Sequence, residues 1–199
     1  MEVTMEELTS QIMDKLSADN ISQISQVIGL DTEKTKSALS SAMPLMVSAL
    51  AKNTSKPDGA ESLYNALAKD HDGSILKDMP GFLGNPQAAN GAGILGHIFG
   101  NQQSTVTQGL AQTTGINSNQ TGQLLEIAAP LLLGALGQQQ QDQAFDTSTL
   151  AEFLGGQQQI AQQSNPDMMS MLNNLLDRDK DGSAVNDIMG MIGKLFGRR

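Results

Sequence analysis

Apolar residues recur at intervals of three and four positions along most of this chain, which is the spacing of one face of an α-helix. The first two series each bring aliphatic side chains to one side of a helix, namely Met5, Leu8, Ile12 and Leu16, and then Ile21, Ile24 and Ile28. Runs in which β-branched or aromatic residues alternate with polar residues, the pattern typical of strands, are missing. The pattern therefore predicts an all-α, multihelical fold.

Two stretches of the chain resemble each other. The segment GLDTEKTKSALSSAMPLMVSAL (29–50) aligns without gaps on GINSNQTGQLLEIAAPLLLGAL (115–136), an offset of 86 residues (115 − 29). The identical pairs are Gly29 with Gly115, Thr35 with Thr121, Leu39 with Leu125, Ala42 with Ala128, Pro44 with Pro130, Leu45 with Leu131, Ala49 with Ala135 and Leu50 with Leu136. This similarity predicts two related helical units, at about 20–70 and 105–155. The alternative is that two unrelated amphipathic helices resemble each other by chance.

Each of the two segments starts with a capping residue, Asp31 or Asn117, and continues as a helix into an internal proline, Pro44 or Pro130. A proline inside a helix removes one backbone hydrogen bond and crowds the preceding turn, so both helices should be kinked or broken there. The residues after each proline are apolar on nearly every side, which is typical of a helix at the centre of a fold. We therefore expect these two helices to form the middle of the core.

The rest of the chain divides by composition. A Gly- and Pro-rich region between the two units, residues 71–101, should consist mostly of loops with short helical turns. Gln-rich pieces at 137–143 and 156–163 are typical of solvated helix ends or of linkers. We therefore predict three parts: one multihelical domain at 1–155, a Gln-rich linker at 156–164 and a helix–loop–helix at 165–199.

The charge balance argues against a nucleic-acid partner. The chain carries 12 Lys and Arg against 21 Asp and Glu, a formal net charge of −9, and such a chain is repelled by phosphate backbones. Cysteine is missing from the sequence, which excludes disulfides, thiolate metal sites and cysteine nucleophiles.

The N-terminal residues and the longest apolar stretch both argue for a cytoplasmic protein. The first residues include Glu2, Glu6 and Glu7, where a signal peptide would be basic and then apolar. The longest apolar stretch, 127–137, is too short to span a bilayer and is interrupted by Pro130. We therefore expect a cytoplasmic location and no membrane association.

The Gly-rich region contains one candidate site for a small molecule. The segment GAGILG (91–96) matches the dinucleotide-binding pattern G-x-G-x-x-G, but that pattern needs a preceding strand, and LGNPQAAN does not predict one. His97 follows directly, and a histidine can act as a base or as a ligand. Since no other histidine or carboxylate lies near it in the sequence, we expect a structural histidine after a Gly-rich loop. The alternative is a binding or active site around His97.

The C-terminal segment carries the clearest candidate for a metal site. In LLDRDKDGSAVNDI (175–188), Asp177, Asp179 and Asp181 alternate with Arg and Lys and are followed by Gly182. Apolar residues at helical spacing lie on both sides of this loop, which is the layout of an EF-hand. Alternation lets three carboxylates converge on a hard cation, the glycine allows a sharp turn, and Ser183 at the seventh position would offer its carbonyl oxygen.

Two positions of the loop depart from the EF-hand pattern, and the first is the eighth, usually a branched aliphatic residue, which is Ala184 here. The twelfth position, usually a bidentate glutamate, is Ile188, and the nearest acid is Asp187 at the eleventh position. The predicted Ca²⁺ ligands are therefore Asp177, Asp179, Asp181, Ser183 and Asp187. The alternative is an Asp-rich interhelical turn in which the aspartates cap the next helix and the glycine adopts a positive φ.

Several segments together resemble a known family. In order along the chain, PDGAESLYNAL, HDGSIL, GAGILGHIFGN and APLLLGALG are similar to the YidB-like family of bacterial proteins (domain of unknown function 937). The resemblance covers most of residues 25–140, and GILGHIFG is its most specific part. It implies a multihelical domain of unknown function, and it implies no catalytic residue at His97 or elsewhere. It also implies that the Asp-rich tail is a variation found in some members.

These observations together predict a non-enzymatic interaction or assembly module that has one variant calcium loop and a protein partner or a second copy of itself. Sequence patterns for a serine nucleophile, a zinc protease or a phosphate-binding loop are missing. A further alternative is a peripheral membrane protein that uses the apolar face of the last helix beside Lys194, Arg198 and Arg199.

Overall fold

The computed structural model describes residues 5–164 and 166 of the chain. These residues form ten α-helices: α1 Met5–Lys15, α2 Ala18–Ile28, α3 Thr32–Thr54, α4 Pro57–Asp70, α5 Ser74–Lys77, α6 Met79–Gly84, α7 Gly91–Phe99, α8 Gln103–Thr114, α9 Ser118–Asp142 and α10 Thr147–Ser164. Two short 3-10 helices lie at Pro86–Ala89 and Gly100–Gln102. Because this part of the chain contains no strand, the predicted all-α fold is confirmed.

The long helices α3 and α9 pack against each other in the middle of the molecule. Their side chains are buried over most of their length after the first turns, and the surrounding core consists mainly of Leu, Ile, Met and Ala. Helix α10 lies along α3, and helix α7 lies along α9. The two helices that the sequence places at the centre of the core therefore do lie there.

The first turns of α3 and α9 have the same local structure. The side chain of Asp31 accepts a hydrogen bond from the backbone N–H of Lys34 at 2.8 Å, and Asn117 accepts one from Gln120 at 2.9 Å. The helices that precede α3 and α9 each end at a glycine with a positive φ. Gly29 after α2 has a φ of +68°, and Gly115 after α8 has a φ of +70°. Glycine adopts this conformation without strain. The aligned sequence positions thus have the same local conformation.

Both internal prolines lie inside continuous helices. Helix α3 continues past Pro44 and helix α9 past Pro130, so neither helix is broken at its proline. The predicted kink at each proline stays a prediction. A proline leaves the carbonyl group four residues before it without a helical donor, which is Glu126 in α9.

The Gln-rich segment at 156–164 is helical. It forms the second half of α10, in which Gln157 and Ala161 are buried. Leu150, Leu154, Gln157 and Ala161 recur at intervals of three and four and form one buried face of this helix. The predicted division of the chain into domains stays a prediction.

Candidate functional site

The predicted calcium ligands lie outside the residues that the structure describes. This applies to Asp177, Asp179, Asp181, Ser183 and Asp187, and to the helices predicted on either side of them. Among the side chains that the structure describes, no three of His, Asp or Glu lie close enough together to hold a metal ion. The calcium loop therefore stays a prediction from the sequence.

His97 lies at the edge of a shallow depression between the ends of α3 and α7. The depression has a volume of about 170 Å³ and is lined by Ala49, Lys52, Asn53, His97, Ile98, Phe99, Gly100 and Gln102. The side chain of His97 is exposed, contrary to the expectation of a packed histidine. These lining residues include no carboxylate that could orient the imidazole as a general base. The lining offers hydrogen bonds and one ammonium group.

Asn53 joins the two helices that form this depression. Its side-chain Nδ2 donates hydrogen bonds to the backbone carbonyls of His97 at 3.1 Å and of Ile98 at 2.9 Å. The last carbonyls of a helix have no partner within the helix, so Asn53 of α3 caps the C-terminus of α7. Sequence reasoning missed this residue because its partners lie 44 and 45 positions away.

Asn53→Ala should lower the free energy of unfolding by about 1 kcal/mol, because two carbonyls lose their donor at a partly exposed position. Asn53→Asp should lower it further, since a carboxylate cannot donate and is repelled by the negative end of the α7 dipole. Urea denaturation measures both changes. Lys52→Ala, at the exposed neighbouring position, is the control and should change stability by less than about 0.5 kcal/mol. Wild-type stability in Asn53→Asp would contradict the capping role.

The first glycine of the GAGILG segment allows close packing of two helices. The residue before α7, Asn90, follows a 3-10 helix and has a φ of +52°, so no strand precedes the segment. The backbone of Gly91 lies directly against the carbonyl oxygen of Glu126 in α9, and a Cβ atom at Gly91 would overlap that oxygen. A Cβ atom at Gly96 would meet open space. The resemblance to the dinucleotide-binding pattern therefore arises from contact between two helices.

A family model described as bacterial protein of unknown function (DUF937) matches residues 10–139. The chain belongs to this family. The match extends from α1 into the last turn of α9 and includes the Gly-rich segment and His97. It is consistent with the resemblance to YidB-like proteins that the sequence motifs indicate. Comparison with curated proteins and with solved structures gave no match.

The Gln-rich end of α9 makes hydrogen bonds to neighbouring elements of this DUF937 protein through its side-chain amides. Each of four consecutive glutamines makes a hydrogen bond to another element. The pairs are Gln138 Oε1 with Lys15 Nζ at 2.6 Å, Gln139 Nε2 with Gln11 Oε1 at 2.9 Å, Gln140 Nε2 with the Tyr64 carbonyl at 3.4 Å and Gln141 Nε2 with the Asp72 carbonyl at 3.1 Å. A low-complexity sequence thus connects α9 to α1, to α4 and to the loop after α4.

The loop after α4 packs on the same part of α9. The carbonyl oxygen of His71 lies against Gly137, where a Cβ atom would overlap it. Burial of the imidazole lowers the pKa of His71, and the charge of Asp70 opposes this effect. None of the helices in the described part of this family member is long and apolar enough to cross a bilayer.

Asp146 directly precedes α10, and its carboxylate accepts hydrogen bonds from the first turn of that helix. Its Oδ1 accepts hydrogen bonds from the backbone N–H of Thr149, the Ser148 hydroxyl and the Thr149 hydroxyl, at 2.7, 2.7 and 2.8 Å. These bonds, that of the Thr149 backbone first, lower the pKa of Asp146 from 3.8 to about 2. Because the folded-state pKa lies below the unfolded-state value, this stabilisation is present above pH 3.8 and is lost as the pH falls towards about 2.

Asp146→Asn should therefore weaken the pH dependence of stability in this range. Asparagine is also a good N-cap residue and has no proton to bind. The variant should lose less thermal stability than the wild type between pH 4 and 2, the interval covered by the two pKa values. Thermal unfolding followed by circular dichroism at several pH values measures the difference. Identical pH dependence in the two proteins would show that Asp146 does not cause it.

Proposed function

We propose that this DUF937 protein is a non-enzymatic module that acts by binding another protein or a second copy of itself, and that one Ca²⁺ ion in the C-terminal loop controls this binding. The observation that supports the proposal is the position of α10. This helix packs along the central helix α3, and its described part extends to Ser164. The segment that carries the aspartate loop therefore starts from a helix that is fixed to the core. A cytoplasmic location belongs to the same proposal.

The body of the module is, in this proposal, built from two related units whose central helices are α3 and α9. The support is the shared local structure at aligned positions. Thr35 and Thr121 are both fully buried and donate hydrogen bonds to the carbonyls of the capping residues, Asp31 at 2.8 Å and Asn117 at 3.0 Å. Such a repeated arrangement of cap and buried hydroxyl is expected from a duplication that kept the start of each helix.

In the C-terminal loop, calcium would neutralise the carboxylates of Asp177, Asp179, Asp181 and Asp187. Binding would then fix the angle between the two predicted flanking helices and expose or cover their apolar faces. Because the twelfth position lacks the usual glutamate, we expect weaker affinity than in a complete EF-hand loop. An associated copy or partner would dock on the Met-rich apolar faces of these helices.

Calorimetric titration tests the metal site. We expect a heat of binding when Ca²⁺ is added to the wild type, with a stoichiometry of one ion per chain. Mg²⁺ should bind more weakly because it demands a tighter octahedral shell. Asp179→Ala should abolish the calcium signal, and Asp14→Ala, which removes an exposed carboxylate in α1, should retain it. If the wild type gives no heat of calcium binding, the loop is an ordinary capped turn between two helices.

Sedimentation velocity tests the assembly role. We expect a larger sedimentation coefficient in calcium than in chelator for the wild type, and the same coefficient in both conditions for Asp179→Ala. Equal sedimentation of the wild type in the two conditions would contradict calcium-linked self-association. The proposal of an interaction module would then depend on a different protein partner.

A small-molecule site at the His97 depression is a second candidate function. It is favoured by one concave surface that contains both His97 and Lys52, although the Asn53 amide there bonds to the backbone carbonyl of His97 and not to its imidazole. Thermal-shift measurements with small carboxylates and phosphates would test it on wild type, His97→Ala and Lys52→Ala. Stabilisation of the wild type that both variants lose would support a site there, and the absence of any stabilisation would argue against it.

A further inference from the structure

One long segment of the chain carries no Asp, Glu, Lys or Arg. Residues 79–125 contain no Asp, Glu, Lys or Arg, and they form α6, α7, α8 and the two 3-10 helices. All lysines of the described residues lie between Lys15 and Lys77. In a protein with a formal net charge of −9, these residues contribute no formal charge, and we refer to them as the neutral region.

A depression of about 450 Å³ lies in this neutral region, where α8 meets the start of α9. Its volume falls within the range of sites for small ligands. The lining residues all carry carboxamide or hydroxyl groups; they are Asn101, Gln103, Ser104, Thr107, Gln108 and Ser118. We refer to this surface as the polar depression.

The hydrogen-bonding groups of the polar depression are mostly free. In the part of the chain that the structure describes, only Thr107 among the six uses its side chain in a hydrogen bond, donating from its hydroxyl to the carbonyl of Gln103 at 2.8 Å. The Thr107 oxygen still accepts. Three carboxamides supply both donors and acceptors, and two serine hydroxyls can act as either. The lining of this open depression thus consists of neutral donors and acceptors.

We propose that the polar depression binds a neutral polyhydroxylated ligand of the saccharide class. A hydroxyl group of a sugar donates one hydrogen bond and accepts others, and carboxamides and hydroxyls can satisfy both roles. A charged ligand would lose part of its hydration and meet no opposite charge in this region, which disfavours it. Because the lining is exposed and contains no aromatic residue, we expect weak binding. This binding is separate from the proposed calcium binding by the C-terminal loop.

Nuclear magnetic resonance titration tests this proposal on the full chain. The probe is triacetylchitotriose, a neutral trisaccharide, added up to about 20 mM to reach the range of weak binding. We expect its addition to shift the side-chain amide signals of Asn101, Gln103 and Gln108. Trigalacturonic acid, an anionic trisaccharide of the same length, should leave those signals in place.

Two variants on one face of α8 provide the matched control. Gln108→Ala should weaken binding of the neutral probe about five- to tenfold, the effect of losing a neutral hydrogen bond. Gln112→Ala removes an exposed glutamine one turn further along α8, outside the depression, and should bind like the wild type. The proposal is overturned if the neutral probe shifts none of the three signals, if both trisaccharides shift them equally, or if the two variants bind the neutral probe equally.

Discussion

Gly91→Ala should lower the free energy of unfolding by about 3 kcal/mol, the upper end of the cost of overpacking a core. The backbone of Gly91, at the start of α7, lies against the carbonyl oxygen of Glu126 in α9. This oxygen belongs to the backbone of a central helix, so it cannot turn away as the end of a flexible side chain would. An added methyl group must instead push α7 off α9, and α7 carries four buried apolar residues, Ile94, Leu95, Ile98 and Phe99.

Gly96→Ala is the matched control, since it makes the same chemical change in the same helix. A Cβ atom at Gly96 meets no atom within 4 Å, and the residue is exposed. Alanine is favoured over glycine inside a helix by about 0.5–1 kcal/mol, so this variant should be as stable as the wild type or slightly more stable. Guanidinium denaturation measures both variants. Equal destabilisation of the two variants would show that the contact of Gly91 with Glu126 does not cause the loss of stability.

Leu39→Ala and Leu125→Ala should each lower the free energy of unfolding by about 2–5 kcal/mol. The two leucines are aligned positions of α3 and α9, and both are fully buried. Each substitution loses the transfer free energy of the removed methyl groups and leaves a cavity in the close-packed centre. Such losses differ between sites because the packing around each site differs. If the two units are related and the two leucines are packed alike, the two losses should therefore agree within about 1 kcal/mol.

Chemical denaturation measures these two losses when the dependence of the unfolding free energy on denaturant concentration is the same in the wild type and the variants. Lys36→Ala and Gln123→Ala remove exposed side chains from the same two helices, and each should change stability by less than about 0.5 kcal/mol. A loss at Leu39 much smaller than the loss at Leu125 would argue that α3 and α9 occupy different environments despite their shared caps. It would weaken the proposal that the two units derive from one.

The sequence predicted the helices and the centre of the core because those features depend on local patterns. Apolar periodicity indicates helices within a window of about 11–18 residues, and the runs after Pro44 and Pro130 are apolar on all sides. Caps such as Asp31 and Asn117 act on the backbone only three residues away. These features therefore needed no knowledge of the tertiary structure.

The sequence could not predict features that depend on which elements meet in space. The amides of residues 138–141 bond to partners 69–128 positions away, so a Gln-rich segment that resembles a solvated helix end connects several elements. The role of Gly91 depends on the position of Glu126. Asn53 contributes to the His97 depression only because α3 ends beside α7. Local sequence patterns contain no information about these pairings.

The pairing of α3 with α10 has a consequence for synthesis on the ribosome. These two helices form the most extensive helix pair among the described residues, and 110 residues separate the end of one from the end of the other (164 − 54). At about 5–20 residues per second, translation takes roughly 5–20 s to cross that interval. Throughout that time the growing chain exposes the apolar side of α3 that α10 later covers. Nascent chains of this protein should therefore be bound by chaperones until translation passes residue 164.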